Sequence, residues 1–340
     1  MTQINNEELK VVILEGWPAS GKTALWALLD GSKEIFVEPL HTFWFEIIFH
    51  LFSNEDEAKL ITERDLRHAL SLTEYYKIEQ YANTGKFPIS FAAGKQKEHK
   101  FEFNFYKFDQ ELSNAVCDNS LKTAKDLVDI FTTLYLQNYG DPCTNRKIKY
   151  IVSMSNYFMY KKNTIHDFKN ILKVIVVARP PIEIYASRLA RKPRLEDGAE
   201  PNDFAPNRKK LAIEAELEDC FVFHKYWIKL SKKFPQYVFY CSLTELLSKK
   251  QTTIKNIMGF LNLPYSDINF YGTRDGEEIE DYNYSLTQKI NDNSTDLLSS
   301  NDRIHAIVRM TLVKFHSQPV NILNIKSIIR FFYLRLKKLR

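Results

Sequence analysis

Residues 16–23, GWPASGKT, set two glycines five positions apart ahead of a lysine and a threonine. Glycines let the backbone bend until successive N–H groups turn into one concavity. A helix beginning near Lys22 adds the positive end of its dipole. Lys22 brings an ammonium to the anion and Thr23 a hydroxyl. Gly16, Trp17, Pro18, Ala19, Ser20, Gly21, Lys22 and Thr23 therefore read as a cradle for a phosphate-like group. The chemistry this suits is transfer of a charged group from an anionic donor, where positioning and charge stabilisation dominate.

Phosphoryl transfer from a nucleoside triphosphate also needs magnesium. An Asp at the end of a neighbouring strand usually holds it, with the cradle Thr as co-ligand. The apolar run KYIVSMS ends in Ser, and KVIVVAR ends in Arg179. Asp129 falls in LVDIF, inside a helical pattern. An arginine where the acid is expected points to a donor neutralised by protein cations, with no metal. The acceptor hydroxyl must lose a proton. Glu38, at the end of the second apolar run KEIFVEP, is the first candidate base, and His41 the second. A free Glu titrates near 4.3, so it is ionised but a weak base unless burial raises it.

The elements that position these groups read as strands and helices in alternation. KVVILEG is a buried strand running into the cradle, residues 23–30 a helix, and KEIFVEP a short second strand. That βαβ spacing implies a parallel sheet. KYIVSMS, LKVIVVARPP and YVFYCS are further strands. IEIYASRLARK, residues 205–233 and TTIKNIMGFLNLP are further helices. Residues 42–145 look mainly helical, except KFEFNFYKF, where Phe101, Phe103 and Phe105 share a face if the stretch is extended. The expected architecture is a doubly wound α/β parallel sheet with a P-loop. It has a helical insertion near 45–145 and a basic amphipathic C-terminal helix. The expected organisation is one domain over 1–319, with the insertion on the acceptor side, and a tail over 320–340.

Composition narrows the function. A content of 44% hydrophobic and 26% charged residues is that of a globular protein. No apolar run reaches the roughly 18–20 residues of a membrane span, and MTQINNEELK lacks the pattern of a signal peptide. Cys117, Cys143, Cys220 and Cys241 show no C-x-x-C spacing, which suits reduced thiols in a cytoplasmic protein. The net charge of +5 sits in the tail, since residues 320–340 hold six Lys/Arg and no acid. The body is close to neutral, which argues against nucleic acid as a partner.

In this order the motifs resemble those of the PAPS-dependent sulfotransferases, a family with a P-loop kinase-like fold. GWPASGKTALWALLDG resembles the family's 5′-phosphosulfate loop, and VIVVARPPIEIYAS its 3′-phosphate motif, with Arg179 and Ser187 eight apart. FPQYVFYCSLTELLSKKQTTIKNIMGFLNLPYSD and YGTRDGEEIEDYNYS are similar to later segments of the family. The resemblance covers residues 11–40 and about 165–285. It implies PAPS as co-substrate, 3′,5′-ADP as product and no metal. It implies Lys22 and the loop amides at the leaving oxygen, Arg179 and Ser187 at the 3′-phosphate, and Arg274 and Gly276 in a late loop near the donor. One departure stands out. The family carries Lys or Arg where this chain has Ala19, and the lysine here is Lys22, the kinase position. Arg188, Arg191 and Arg194 also suit a kinase lid. The alternative is therefore a P-loop kinase acting from ATP on a nucleoside or other small hydroxyl compound. A third reading is a catalytically silent nucleotide-binding protein.

The acceptor is read as a carbohydrate or lipid-linked glycan. Insertion aromatics such as Trp44, Phe101, Phe103 and Tyr106 are of a type that stacks on sugar rings, although core packing claims most such side chains. In the tail, Ile325, Ile328, Ile329, Phe332, Leu336 and Leu339 share a helical face, with Lys326, Arg330, Lys337 and Arg340 largely elsewhere. That pattern suits an anionic membrane surface and a cytoplasmic protein peripheral to the inner face of the membrane. A helix docked on the protein body fits it equally.

Overall fold

The computed structural model describes residues 9–17, 20–30, 32–38, 45–85, 102–139, 148–155, 164–184, 206–266, 269, 273–274 and 277–278. For Thr164, 206–218 and the last two pairs it describes the backbone alone. Its centre is a five-stranded, all-parallel sheet: β1 Lys10–Glu15, β2 Ile35–Val37, β3 Tyr150–Met154, β4 Leu172–Ala178 and β5 Val238–Ser242, in the order β2-β3-β1-β4-β5. The register sets Leu14 beside Met154 and Ile175, Val37 beside Val152, and Ala178 beside Ser242. The five apolar runs of the sequence are these five strands.

The runs are apolar throughout because both faces are buried. Val11, Ile13, Phe36, Ile151, Val174 and Val176 point into one core. Val12, Leu14, Ile35, Val37, Val152, Ile175 and Val177 point into the other. Each such side chain contributes about 1.5–3 kcal/mol by leaving water. The second core is closed by α1 (Lys22–Leu29) through Leu25, Leu28 and Leu29, and by a helix at Lys250–Phe260 through Ile254, Ile257 and Met258. Asn269 ties the later chain to the end of α1 by donating to Ser32 Oγ (2.5 Å) and the Leu28 carbonyl (3.3 Å).

The first core is closed by the insertion and by a long helix at Pro206–Lys233. The insertion holds α2 (Glu46–Leu51), α3 (Glu63–Ser71), α4 (Tyr76–Thr84), α5 (Phe105–Cys117) and α6 (Ala124–Asn138). Capping boxes start two of them: Thr62 with Asp65 at α3, Thr123 with Asp126 at α6. Asp129 lies within α6, as the sequence pattern requires. The alternating KFEFNFYKF does not form a strand. Phe103 makes a single antiparallel bridge to Tyr139, and Asn104 then caps α5 by accepting from the Lys107 amide, which turns Phe105 onto a helix. A local cap overrides the two-residue alternation.

After β4 and a helical turn at 181–184, and after β5 and a short helix at Leu243–Ser248, the chain adds a small antiparallel pair at Thr273–Arg274 and Glu277–Glu278. The sequence reading had no such pair. The tail over 320–340 and the arginines at 188, 191 and 194 lie outside the described residues. Among the described residues no helix is long and apolar enough to cross a membrane.

Candidate active site

In a parallel sheet the strand ends lie in one row, and ligands settle where the crossovers diverge. Here β1 has β3 on one side and β4 on the other. The row of strand ends holds Glu38, Ser155, Glu15–Gly16, Arg179 and Ser242.

The cradle leaves β1 at Gly16, turns at Gly21, and enters α1 without any side-chain cap. Gly21 has φ of 100°, a left-handed conformation suited to glycine, and a Cβ there would sit 2.4 Å from Leu243 Cδ1. A Cβ on Gly16 would lie 2.3 Å from Ser20 Oγ and 2.6 Å from the Val177 carbonyl. Both glycines are fixed by close approach. Trp17 is buried against Phe223 of the long helix, with ring centroids 5.6 Å apart, so it anchors the loop. Pro18 and Ala19 lie outside the described residues.

Two buried hydroxyls in the cradle, Ser20 Oγ and Ser155 Oγ, have no hydrogen-bond partner in the protein. Buried polar groups are rarely left so. They are donors of the kind that a phosphate or sulfate oxygen takes. Lys22 is not the mobile ammonium that the motif alone suggests. It is buried and donates to the Ser155 carbonyl beside Glu15. Burial pulls it down to about 8, against the opposing attraction of Glu15. Thr23 is exposed on the first turn of α1.

Glu38 is 1% exposed, and its Oε2 accepts from Ser153 Oγ of the adjacent strand at 2.5 Å. Its carbonyl accepts from the Trp26 indole at 3.1 Å, which couples the end of β2 to α1. His41 lies outside the described residues. Glu15 was absent from the sequence reading. It is fully buried at the end of β1, and its carboxylate accepts from the Gly16 amide at 2.9 Å. An acid does stand at a strand end, therefore, but on β1 rather than on β3 or β4.

Arg179 follows β4 as expected. Its side chain is 12% exposed and pairs through Nε with Glu183 Oε2 at 3.2 Å. Behind it, His224 hydrogen-bonds the Arg179 backbone, and its Nδ1 lies 3.2 Å from the Tyr240 hydroxyl. Burial pushes His224 down to about 4, so the ring is neutral near pH 7. Ser187 and Gly276 lie outside the described residues, and Arg274 is described in backbone only. The structure thus brings Gly16, Ser20, Gly21, Lys22, Glu38 and Arg179 to one row of strand ends. Sequence reasoning missed Glu15, Ser153, Ser155 and His224. Strand-end position was the available signal for Glu15 and Ser155; the other two show only in three dimensions.

The sequence matches no protein-family model and no curated protein. Among solved structures it is similar to the sulfotransferase domain of the Synechococcus PCC 7002 olefin synthase, with 11% identity and a TM-score of 0.48 over 94% of this chain and all of that one. It is also similar to the sulfotransferase STF9 from Mycobacterium avium, with 10% identity and a TM-score of 0.43 over 93% of this chain and 79% of that one. A third is retinol dehydratase in complex with retinol and PAP, with 13% identity and a TM-score of 0.33 over 86% of this chain and 70% of that one. Such values leave donor and acceptor to be read from the site's own residues. The sulfotransferases are the proteins that this chain is similar to.

Proposed function

We propose that the chain is a PAPS-dependent sulfotransferase that moves a sulfuryl group to a hydroxyl of a glycan or similar acceptor. The observation that carries this reading is the cradle: two partnerless buried hydroxyls and a buried ammonium, flanked on β4 by Arg179 instead of an acid. PAPS, when bound, supplies an activated sulfuryl group with 3′,5′-ADP as its leaving group. The chain's residues do the rest. Ser20, Ser155 and the loop amides orient the anion. Lys22 places positive charge where the leaving oxygen gains electrons. Arg179 takes the 3′-phosphate by charge-assisted hydrogen bonds, held in place through Glu183 and His224. Glu38, aimed by Ser153, accepts the proton of the acceptor hydroxyl as the oxygen–sulfur bond forms. The protein is cytoplasmic on this reading, and residues 320–340 hold it at the inner face of the membrane, near a lipid-linked glycan.

A second reading is favoured by Lys22-Thr23 at the kinase positions and by the buried carboxylates Glu15 and Glu38. It is phosphoryl transfer from ATP to a small-molecule hydroxyl. Calorimetry with 3′,5′-ADP and with ATP, each with and without magnesium, separates the two. Binding of 3′,5′-ADP that ignores magnesium and weakens at least tenfold in Arg179→Ala is expected. Magnesium-dependent ATP binding without preference for a 3′-phosphate overturns the sulfotransferase reading and establishes the kinase one.

A further inference from the structure

A cavity of about 420 Å³ opens on the insertion where three elements meet: the end of α4, the start of α5 and the end of α6. Asn83, Glu102, Phe103, Asn104, Tyr106 and Asn138 supply most of its wall. Its chemistry differs from that of the cradle. There is no lysine or arginine in the lining, and the one ionisable acid is Glu102, so an anion finds no partner there. The size falls within the roughly 300–1,000 Å³ of small-molecule sites.

Asn138 shows what the cavity lacks. It is 7% exposed. Its Nδ2 donates to Glu111 Oε2 and to the Leu134 carbonyl, both at 2.9 Å, which uses both protons and fixes the orientation of the amide. Its Oδ1 is buried and has no partner. A buried acceptor in the wall of a cavity calls for an O–H or N–H donor from whatever occupies it. Beside it Tyr106 holds its ring out to solvent, 67% exposed. Two further amides, Asn83 and Asn104, stand exposed at the rim.

An open aromatic ring, amides that both donate and accept, a carboxylate and no cation together suit a neutral ligand with many hydroxyls. We infer that this cavity is a saccharide-binding site, one to three neutral sugar units long, with a sugar hydroxyl donating to Asn138 Oδ1 and a ring face lying on Tyr106. The inference deepens the acceptor half of the proposed function and rests on it only for the purpose of sugar binding. The donor half is tested with 3′,5′-ADP, so the two fail separately.

The test titrates the full chain with maltotriose, with tri-N-acetylchitotriose and with the anionic control trigalacturonate, read by calorimetry and saturation-transfer NMR. At least one neutral trisaccharide binds at millimolar concentration or better, and trigalacturonate binds more weakly. Tyr106→Ala weakens the neutral sugar about tenfold, or about 1.4 kcal/mol, and Asn138→Leu does at least as much. Neither variant changes the affinity for 3′,5′-ADP. If Asn138→Leu does not fold, the exposed Tyr106→Ala still decides. Absence of binding by both neutral sugars overturns the inference, as does an affinity that Tyr106→Ala leaves unchanged.

Discussion

The strand-end row and the insertion are built on opposite logic. In the row, main-chain geometry comes first. Parallel register sets Glu38, Ser155, Gly16 and Arg179 side by side, and the cradle glycines are held by approaches that leave no room for a Cβ. In the insertion, side chains come first. Tyr75, Phe103, Phe108, Phe131 and Tyr135 interlock with ring centroids 4.9–6.3 Å apart, mostly edge to face or tilted. Arg67 then bridges α3 and α5 by a bidentate pair with Asp109, which also accepts from the Tyr75 hydroxyl. A donor site needs atoms placed to a few tenths of an ångström and so sits on the rigid sheet. An aromatic cluster tolerates repacking and can vary around one chemistry.

The largest expected effect tests whether the two regions are separable. Phe108 is fully buried at the centre of the aromatic cluster. Phe108→Ala removes about 3–5 kcal/mol of stability. Hydrogen exchange will show the loss in 102–138, while the affinity for 3′,5′-ADP changes less than threefold. Equal deprotection of β1 and β4 would show one cooperative unit instead.

Gly16→Ala is the converse. The added carbon meets the Val177 carbonyl at 2.6 Å, and a main-chain atom cannot step aside as a side chain can. The loop moves, and 3′,5′-ADP binding falls by at least about 100-fold, near 3 kcal/mol, with exchange in the insertion unchanged. Binding within tenfold of wild type would show that the loop adapts.

The same contrast explains what was legible in the sequence. The five apolar runs and the cradle could be read directly, because sheet burial and glycine-bounded turns are local patterns. Glu38 was legible from its place after a strand. Ser153 was not, since its value lies in standing beside Glu38 across 115 positions of chain. His224 reads as one histidine on a helix until β5 brings Tyr240 to it. In the insertion, Phe101, Phe103 and Phe105 misled because alternation is a weak local signal beside the Asn104 cap.

Acid tests the row from behind. His224 is held near 4 in the folded chain and returns to about 6.5 when unfolded, so the unfolded state binds the extra proton between those values. Stability contributed by the neutral ring is full above pH 6.5 and declines as pH falls towards 4, by about 2 kcal/mol between pH 7 and pH 5. Urea unfolding at the two pH values reads it. His224→Gln flattens the difference, and a wild-type difference below about 0.5 kcal/mol would contradict the neutral, buried ring.

Base tests it from the front. Lys22 loses its proton near 8, so an anion held by its charge binds about tenfold more weakly at pH 9 than at pH 7. Lys22→Met binds weakly at both. A wild-type affinity that ignores pH over this range would move the charge in the cradle to another residue.

The smallest effect sharpens the comparison most, because it alters placement and almost nothing else. Ser153 donates to the Glu38 carboxylate, and both are buried within the sheet end. Ser153→Ala removes one hydrogen bond to a charged group without opening the cradle, a loss of about 1 kcal/mol. With Glu38 as the base, that loss falls on turnover. The kcat drops about fivefold while KM and 3′,5′-ADP affinity hold, and Ser153→Thr, which keeps the hydroxyl, restores most of it. If KM rises instead and kcat holds, Glu38 binds the acceptor rather than deprotonating it. The proton then leaves through another group on the row, and the tight backbone register serves recognition rather than chemistry.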